Sequence, residues 1–212
     1  MSNKEKIYVL VIVLCLILDF FFWVLLNPSM RAKPVIYLYP ETETEVNVKF
    51  AKLELLTTTY PKFDSSWNVT VKPNGDMYDE SGRYYYALYY EAKGSKLNNF
   101  KEGFYVEKDN AIDFLEEKLS ILGLNERESN EFIMYWLPVL EQNEKSLVYF
   151  ETTESLEKNN KLIISPKPDS LLRINMHVKK VSKKTSIKEQ ELPHFERKGF
   201  TVVEWGGTRY WI

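Results

Sequence analysis

The stretch KPVIYLYPETE, residues 33–43, sets five apolar or aromatic side chains between two prolines, with acids directly behind. It follows shortly after a long apolar run, so it is a remnant of that run, the first strand of a folded unit, or a binding motif. Arg31 and Lys33 separate it from the apolar run. Five consecutive packing residues bracketed by prolines suit a short strand buried on both faces, with Pro34 and Pro40 marking its ends because neither donates a ladder hydrogen bond. The stretch therefore reads as the strand that opens a domain.

On its amino-terminal side, residues 7–26 read IYVLVIVLCLILDFFFWVLL, with Asp19 the only charge. An apolar helix of about 20 residues is long enough to span a hydrocarbon core of about 30 Å. A secretory signal peptide is the rival, since Lys4 and Lys6 form a basic head, but no small-residue cleavage site precedes Arg31. The expectation is an uncleaved single-pass anchor over 7–27 with the lipid bilayer as partner, after a head of residues 1–6 and before a linker, 28–33. Basic residues are nearly balanced across the span. Because everything that can fold lies after it, the domain of residues 34–212 is expected outside the cytoplasm. Asp19 is the one ionisable group in the span, a candidate contact to a membrane partner or a tolerated charge.

Composition narrows the chemistry. The single cysteine, Cys15, lies in the apolar run, so the remainder carries no disulfide, thiolate metal site or cysteine nucleophile. With two histidines, His177 and His194, no histidine-rich metal centre is expected, and no cofactor is implied. The net charge of −2 offers no basic field for nucleic acid.

Working outward along the chain, TEVNVKF (44–50) and WNVTV (67–71) alternate apolar and polar residues, and Asn74-Gly75 is a hairpin turn signal. RYYYALYYEA (83–92) is the most strand-like run. Apolar residues at 112, 115, 119 and 122, and again at 132, 133, 136, 139 and 140, change the period to that of a helix. Asn125 with Glu128 forms a capping box and Gly123 suits a left-handed helix end, giving a helical hairpin over about 110–142. Strands return at 146–151, 161–165, 171–180 and 200–205. In the third, Leu172, Ile174, Met176 and Val178 face a core, while Arg173, Asn175, His177 and Lys179 face solvent. Residues 181–198 are charged and without period, a long excursion or a mobile loop. The fold class is α+β: a transmembrane helix, then a mainly antiparallel sheet or sandwich with an inserted helical hairpin.

No catalytic motif is present. Glu91, Glu204 and Asp64 are the candidates for a carbohydrate-active hydrolase, which needs two carboxyl groups about 5–10 Å apart. Tyr85 and Tyr89 would share one face of their strand and, with Trp205 and Trp211, could stack on sugars or a partner protein. Gly206-Gly207 reads as a turn folding the last residues back.

Three blocks, KPVIYLYPETETEVNVKF, FLEEKLSILGLNERESNEFIMYWLPVLE and FERKGFTVVEWGGT, together resemble an uncharacterised family of bacterial proteins that share them over residues 33–207. The resemblance implies one domain unit and brings no reaction, ligand or site. The expected function is a membrane-anchored extracytoplasmic binding domain without catalysis, for a cell-envelope glycan or protein partner. The alternatives are the hydrolase, or a structural component of an envelope assembly.

Overall fold

A computed structural model of the chain describes residues 30–93, 97 and 100–210, with scattered helical positions at 6, 8–10, 12–15 and 18. The first half runs β1 (Met30–Tyr39), β2 (Thr44–Phe50), β3 (Leu56–Tyr60), β4 (Trp67–Val71), β5 (Met77–Tyr78), β6 (Tyr84–Tyr85), β7 (Leu88–Lys93) and β8 (Glu102–Glu107). Helices α1 (Ala111–Leu122) and α2 (Glu126–Glu141) follow, then β9 (Lys145–Thr152) and α3 (Thr153–Asn159). The chain ends with β10 (Leu162–Ser165), β11 (Ser170–Lys180), β12 (Lys188–Glu189) and β13 (Thr201–Tyr210).

These strands build an eight-stranded sheet in the order β12-β8-β9-β11-β13-β1-β7-β3 and a five-stranded sheet in the order β10-β2-β4-β5-β6. Pairing is antiparallel except between β11 and β13 and between β12 and β8. The larger sheet is the middle of three layers. On one face α1 and α2 bury Leu115, Leu119, Phe132 and Trp136 against Val35, Tyr37, Ile174, Met176 and Trp205. On the other face the smaller sheet buries Val46, Val48, Phe50, Trp67 and Val69 against Ile36, Leu38, Leu88, Tyr90 and Val202. Alternate residues of β1 serve the two cores, as the run of five apolar residues demands.

The helical hairpin lies where its period places it. Asn125 accepts from the Glu128 N–H while Glu128 accepts from the Asn125 N–H, completing the capping box. Gly123 closes α1 in the left-handed region at φ 87°.

Several expectations are corrected. Among the described residues no helix is long and apolar enough to cross a membrane. Much of the expected span, residues 7, 11, 16–17 and 19–27, lies outside the described residues. The single-pass anchor over 7–27 is thus not borne out, and the extracytoplasmic placement that rested on it falls with it. Strand β1 starts at Met30, inside the expected linker, and is interior to the sheet, between β13 and β7. Pro34 does not end it but sits in a bulge, where Lys33 takes φ 51° and the register shifts. The run 83–92 is two strands: β6 belongs to the smaller sheet and β7 to the larger, with a break at Tyr86 and Ala87 where the chain changes layer.

Gly206-Gly207 is not a turn, because both lie within β13. A side chain at Gly206 would meet Pro34 of the bulge at 3.0 Å, and one at Gly207 would strike the Trp136 ring. The two glycines are there for close packing, not for chain reversal. Residues 181–199 form an ordered arm: Gln190 accepts from the Phe150 N–H at 2.9 Å and donates to its carbonyl at 2.7 Å, standing in for a strand neighbour of β9.

Candidate functional site

The polar side chains of β11 do not face water. Arg173, Asn175 and His177 are 0, 2 and 1 % exposed. The five-stranded sheet covers only part of the larger one, and over the remainder lies α3, an element the sequence reading missed. Its signal was the Glu154–Lys158 pair at i,i+4, which closes at 2.7 Å. Beneath this helix the face of the larger sheet is a polar network, which is how buried polar groups are retained at tolerable cost.

One half of the network centres on Arg173. Its Nε donates to Glu204 Oε2 at 2.8 Å and its Nη2 to Glu204 Oε1 at 3.1 Å. Nη1 reaches Glu157 of α3 at 2.5 Å and the Asn160 carbonyl at 2.7 Å. The Tyr90 hydroxyl donates to Glu204 Oε1 at 2.7 Å. Burial is the largest influence and opposes the charge of Arg173, but the Glu204 carboxylate, Tyr90 and Glu157 together outweigh it and hold the guanidinium pKa above its usual value.

The other half centres on His177. Its Nδ1 lies 2.8 Å from the Tyr210 hydroxyl, and its Nε2 lies 3.1 Å from Glu151 Oε2 and 2.9 Å from Asn175 Nδ2. Glu151 Oε1 accepts from Ser155 at 2.6 Å and Asn159 at 2.8 Å, so α3 positions the carboxylate. The Asn175 carboxamide also lies 3.0 Å from the Thr208 hydroxyl. The expected solvated His177 is corrected. The alternation that placed it on a polar face is real, but that face is covered.

The sequence-predicted carboxylates do not converge. Glu204 is held in the Arg173 pair on the α3 side of the larger sheet. Glu91 accepts from Tyr89 at 2.8 Å, and the Tyr89 ring packs against the core on the opposite, α1–α2 side. Burial and the Glu91 carboxylate push the Tyr89 pKa up. The sheet itself separates the two acids. Asp64 is exposed in the loop after β3 and pairs with Lys62 at 3.1 Å.

The aromatic candidates are also dispersed. Tyr85 is buried in the smaller-sheet core and donates to Asp79 at 2.9 Å, so it and Tyr89 share no open face. Trp205 is fully buried against Phe132, ring centres 5.2 Å apart. Asp19 and Trp211 lie outside the described residues. Tyr84 and Tyr86, on either side of Tyr85, do face solvent, as does Tyr60. His194 is exposed on the arm.

A concave site is present elsewhere. Strand β8 pairs with β9 over Phe104–Glu107, and on its outer side β12 covers only Glu102 and Gly103. Alongside the rest of β8 lies a groove of about 680 Å³ between α1 and residues 184–187 of the arm. Phe104, Val106, Phe114 and Ile187 supply apolar lining, and Glu107, Asp113, Glu117 and Glu189 line it with acids. Lys118 lies 4.9 Å above the Phe104 ring and pairs with Glu117 at 2.8 Å, and with Lys184 it answers two of the four acids, which leaves the groove an acidic balance.

Compared with protein-family models, curated proteins and solved structures, the chain matches none.

Proposed function

We propose that the protein is a binding module that takes an extended, basic segment of a partner protein along β8. The observation that carries this reading is the open outer edge of residues 104–107, which no strand pairs among the described residues and which faces the groove. An unpaired strand edge offers main-chain donors and acceptors to an added strand. In such complexes main-chain hydrogen bonds supply affinity, and pockets for alternate side chains supply selectivity. Here the apolar lining suits one face of the incoming strand and the acids suit cationic side chains between them. A hydrolytic role for Glu91 with Glu204 has no comparable support, since the sheet lies between them.

The test is fluorescence anisotropy with a labelled heptapeptide alternating lysine and valine, beside one alternating glutamate and valine. Selective binding of the lysine peptide, weakened by Asp113→Lys with Glu117→Lys, supports the reading. Equal binding of both peptides, or none, overturns it.

A further inference from the structure

Tyr210 ends β13 half-buried, with its hydroxyl 2.8 Å from Nδ1 of His177. The other ring nitrogen faces Glu151, and Glu151 is fixed in turn by Ser155 and Asn159. Hydroxyl, imidazole and oriented carboxylate in this order are the arrangement that activates a nucleophile. The base is within hydrogen-bond reach, and a third group sets its tautomer.

The tautomer follows from the donors present. A carboxylate oxygen 3.1 Å from Nε2 calls for a proton between them, and Nε2–H supplies it. Asn175 touches the same nitrogen, and its Oδ1 has no partner among the described residues. Turning that carboxamide by a half-rotation lets Oδ1 accept from both Nε2–H and the Thr208 hydroxyl. Nδ1 is then bare and faces the Tyr210 O–H. The Leu97 N–H, 3.0 Å from the same oxygen, stabilises negative charge forming there.

We propose that Tyr210 is an activated phenol that attacks activated acyl donors, with His177 as its base and Glu151 as the residue that positions His177. In the step, the Tyr210 proton passes to Nδ1 and the phenol oxygen bonds to the acyl carbon. The bond to the leaving alkoxide or phenoxide breaks, and that group carries the electron pair away. The product is an acyl ester at Tyr210 with an imidazolium held by Glu151. Unlike peptide capture at β8, this site lies over the opposite face of the larger sheet and uses none of the groove residues.

The experiment is timed acetylation of the full chain by p-nitrophenyl acetate, with the acetylated tyrosines mapped by mass spectrometry. Tyr84 and Tyr86, 49 and 44 % exposed, are internal controls. Tyr210 should be acetylated first despite its lower exposure. His177→Gln should slow its labelling about a hundredfold, the lower range of a general base contribution. Glu151→Gln should shift the pH at which labelling levels off while leaving the controls unchanged. If either variant fails to fold, the natural chain still decides the matter. Tyr84 and Tyr86 must ionise to react, so their rates climb about tenfold per pH unit below the phenol pKa, whereas the Tyr210 rate goes flat once His177 is neutral. Labelling that simply follows exposure, with Tyr210 climbing alongside the controls, overturns the proposal.

Discussion

Arg173 on β11 and Glu204 on β13 are direct partners in parallel register and close a two-pronged ion pair in the interior. Their side chains are 0 and 3 % exposed. Planar guanidinium and carboxylate match in geometry, and the remaining donors of Arg173 go to Glu157 and the Asn160 carbonyl. Glu157 comes from α3, so this pair also ties the helix to the sheet it covers.

Breaking the pair from one side leaves a buried charge uncompensated. Arg173→Leu should therefore lower stability by about 3–5 kcal/mol, read from the urea midpoint. Replacing both partners with leucine should recover much of that loss, because no orphaned charge remains. A single variant as stable as the natural chain would remove the pair from any account of this fold.

Asp79 gives a pH dependence of known sign. Ser81 donates to its Oδ1 from both hydroxyl and backbone, the Arg83 N–H adds a third bond, and Tyr85 donates to Oδ2. The Ser81 hydroxyl bond leads in holding the carboxyl pKa down at about 2. A depressed folded pKa contributes stability that is fully present above the unfolded value near 4 and lost as pH falls towards 2. The stability gap between the natural chain and Asp79→Asn should therefore narrow across that window. A gap independent of pH between 4 and 2 would count against the assignment.

Gly207 tests the reading of the two glycines in β13. A methyl group there meets the Trp136 ring and comes within 2.7 Å of the Met176 carbonyl oxygen, in the middle of the larger core. Gly207→Ala should cost about 1–3 kcal/mol or more, the range for overpacking a core. It should also perturb Trp136 fluorescence. Gly82→Ala is the contrast, since nothing lies within 4 Å of its added carbon, although its φ of 78° still carries backbone strain.

The sequence speaks clearly where one local rule acts alone. The hairpin α1–α2 was legible because helical period, capping box and terminal glycine all coincide at residues 110–142. Strand alternation was legible in β2, β4 and β11. What alternation cannot say is what covers each face. Arg173, Asn175 and His177 alternate with apolar residues as a solvated strand would, yet α3 and the end of β13 close over them. That outcome depends on Glu204, Glu151, Thr208 and Tyr210 arriving from other strands, pairings that lie 26 to 33 residues away. The same holds for Glu91 and Glu204. Their spacing in the chain gave no hint that the sheet would divide them, because facing is set by the register of β7 and β13 against β1.

The arm of residues 181–199 carries the last prediction. Glu128 is fully buried as the N3 residue of α2, and its carboxylate is shared between the Asn125 cap and Arg197 of the arm. Arg197 also donates to the Gly123 carbonyl at 3.1 Å and lies 5.5 Å from the Tyr39 ring centre. Beyond the short β12, the packing of Leu192 and Phe195 on the core and the Ser170 bonds to Lys198, this segment is attached by side-chain anchors, Arg197 and Gln190 among them. Arg197→Ala takes the cation from buried Glu128, which keeps its cap and Tyr39, and should release the carboxyl-terminal part of the arm. The expected result is faster trypsin cleavage at Lys198, with cleavage at Lys183, Lys184 and Lys188 little changed and helical circular dichroism largely kept. Gln190→Ala should open the segment nearer β8 in the same assay and weaken peptide capture in the groove, whereas Arg197→Ala, acting at the far end, should leave that capture nearly intact. Cleavage rates unchanged in both variants would show that the arm is held by contacts other than these two.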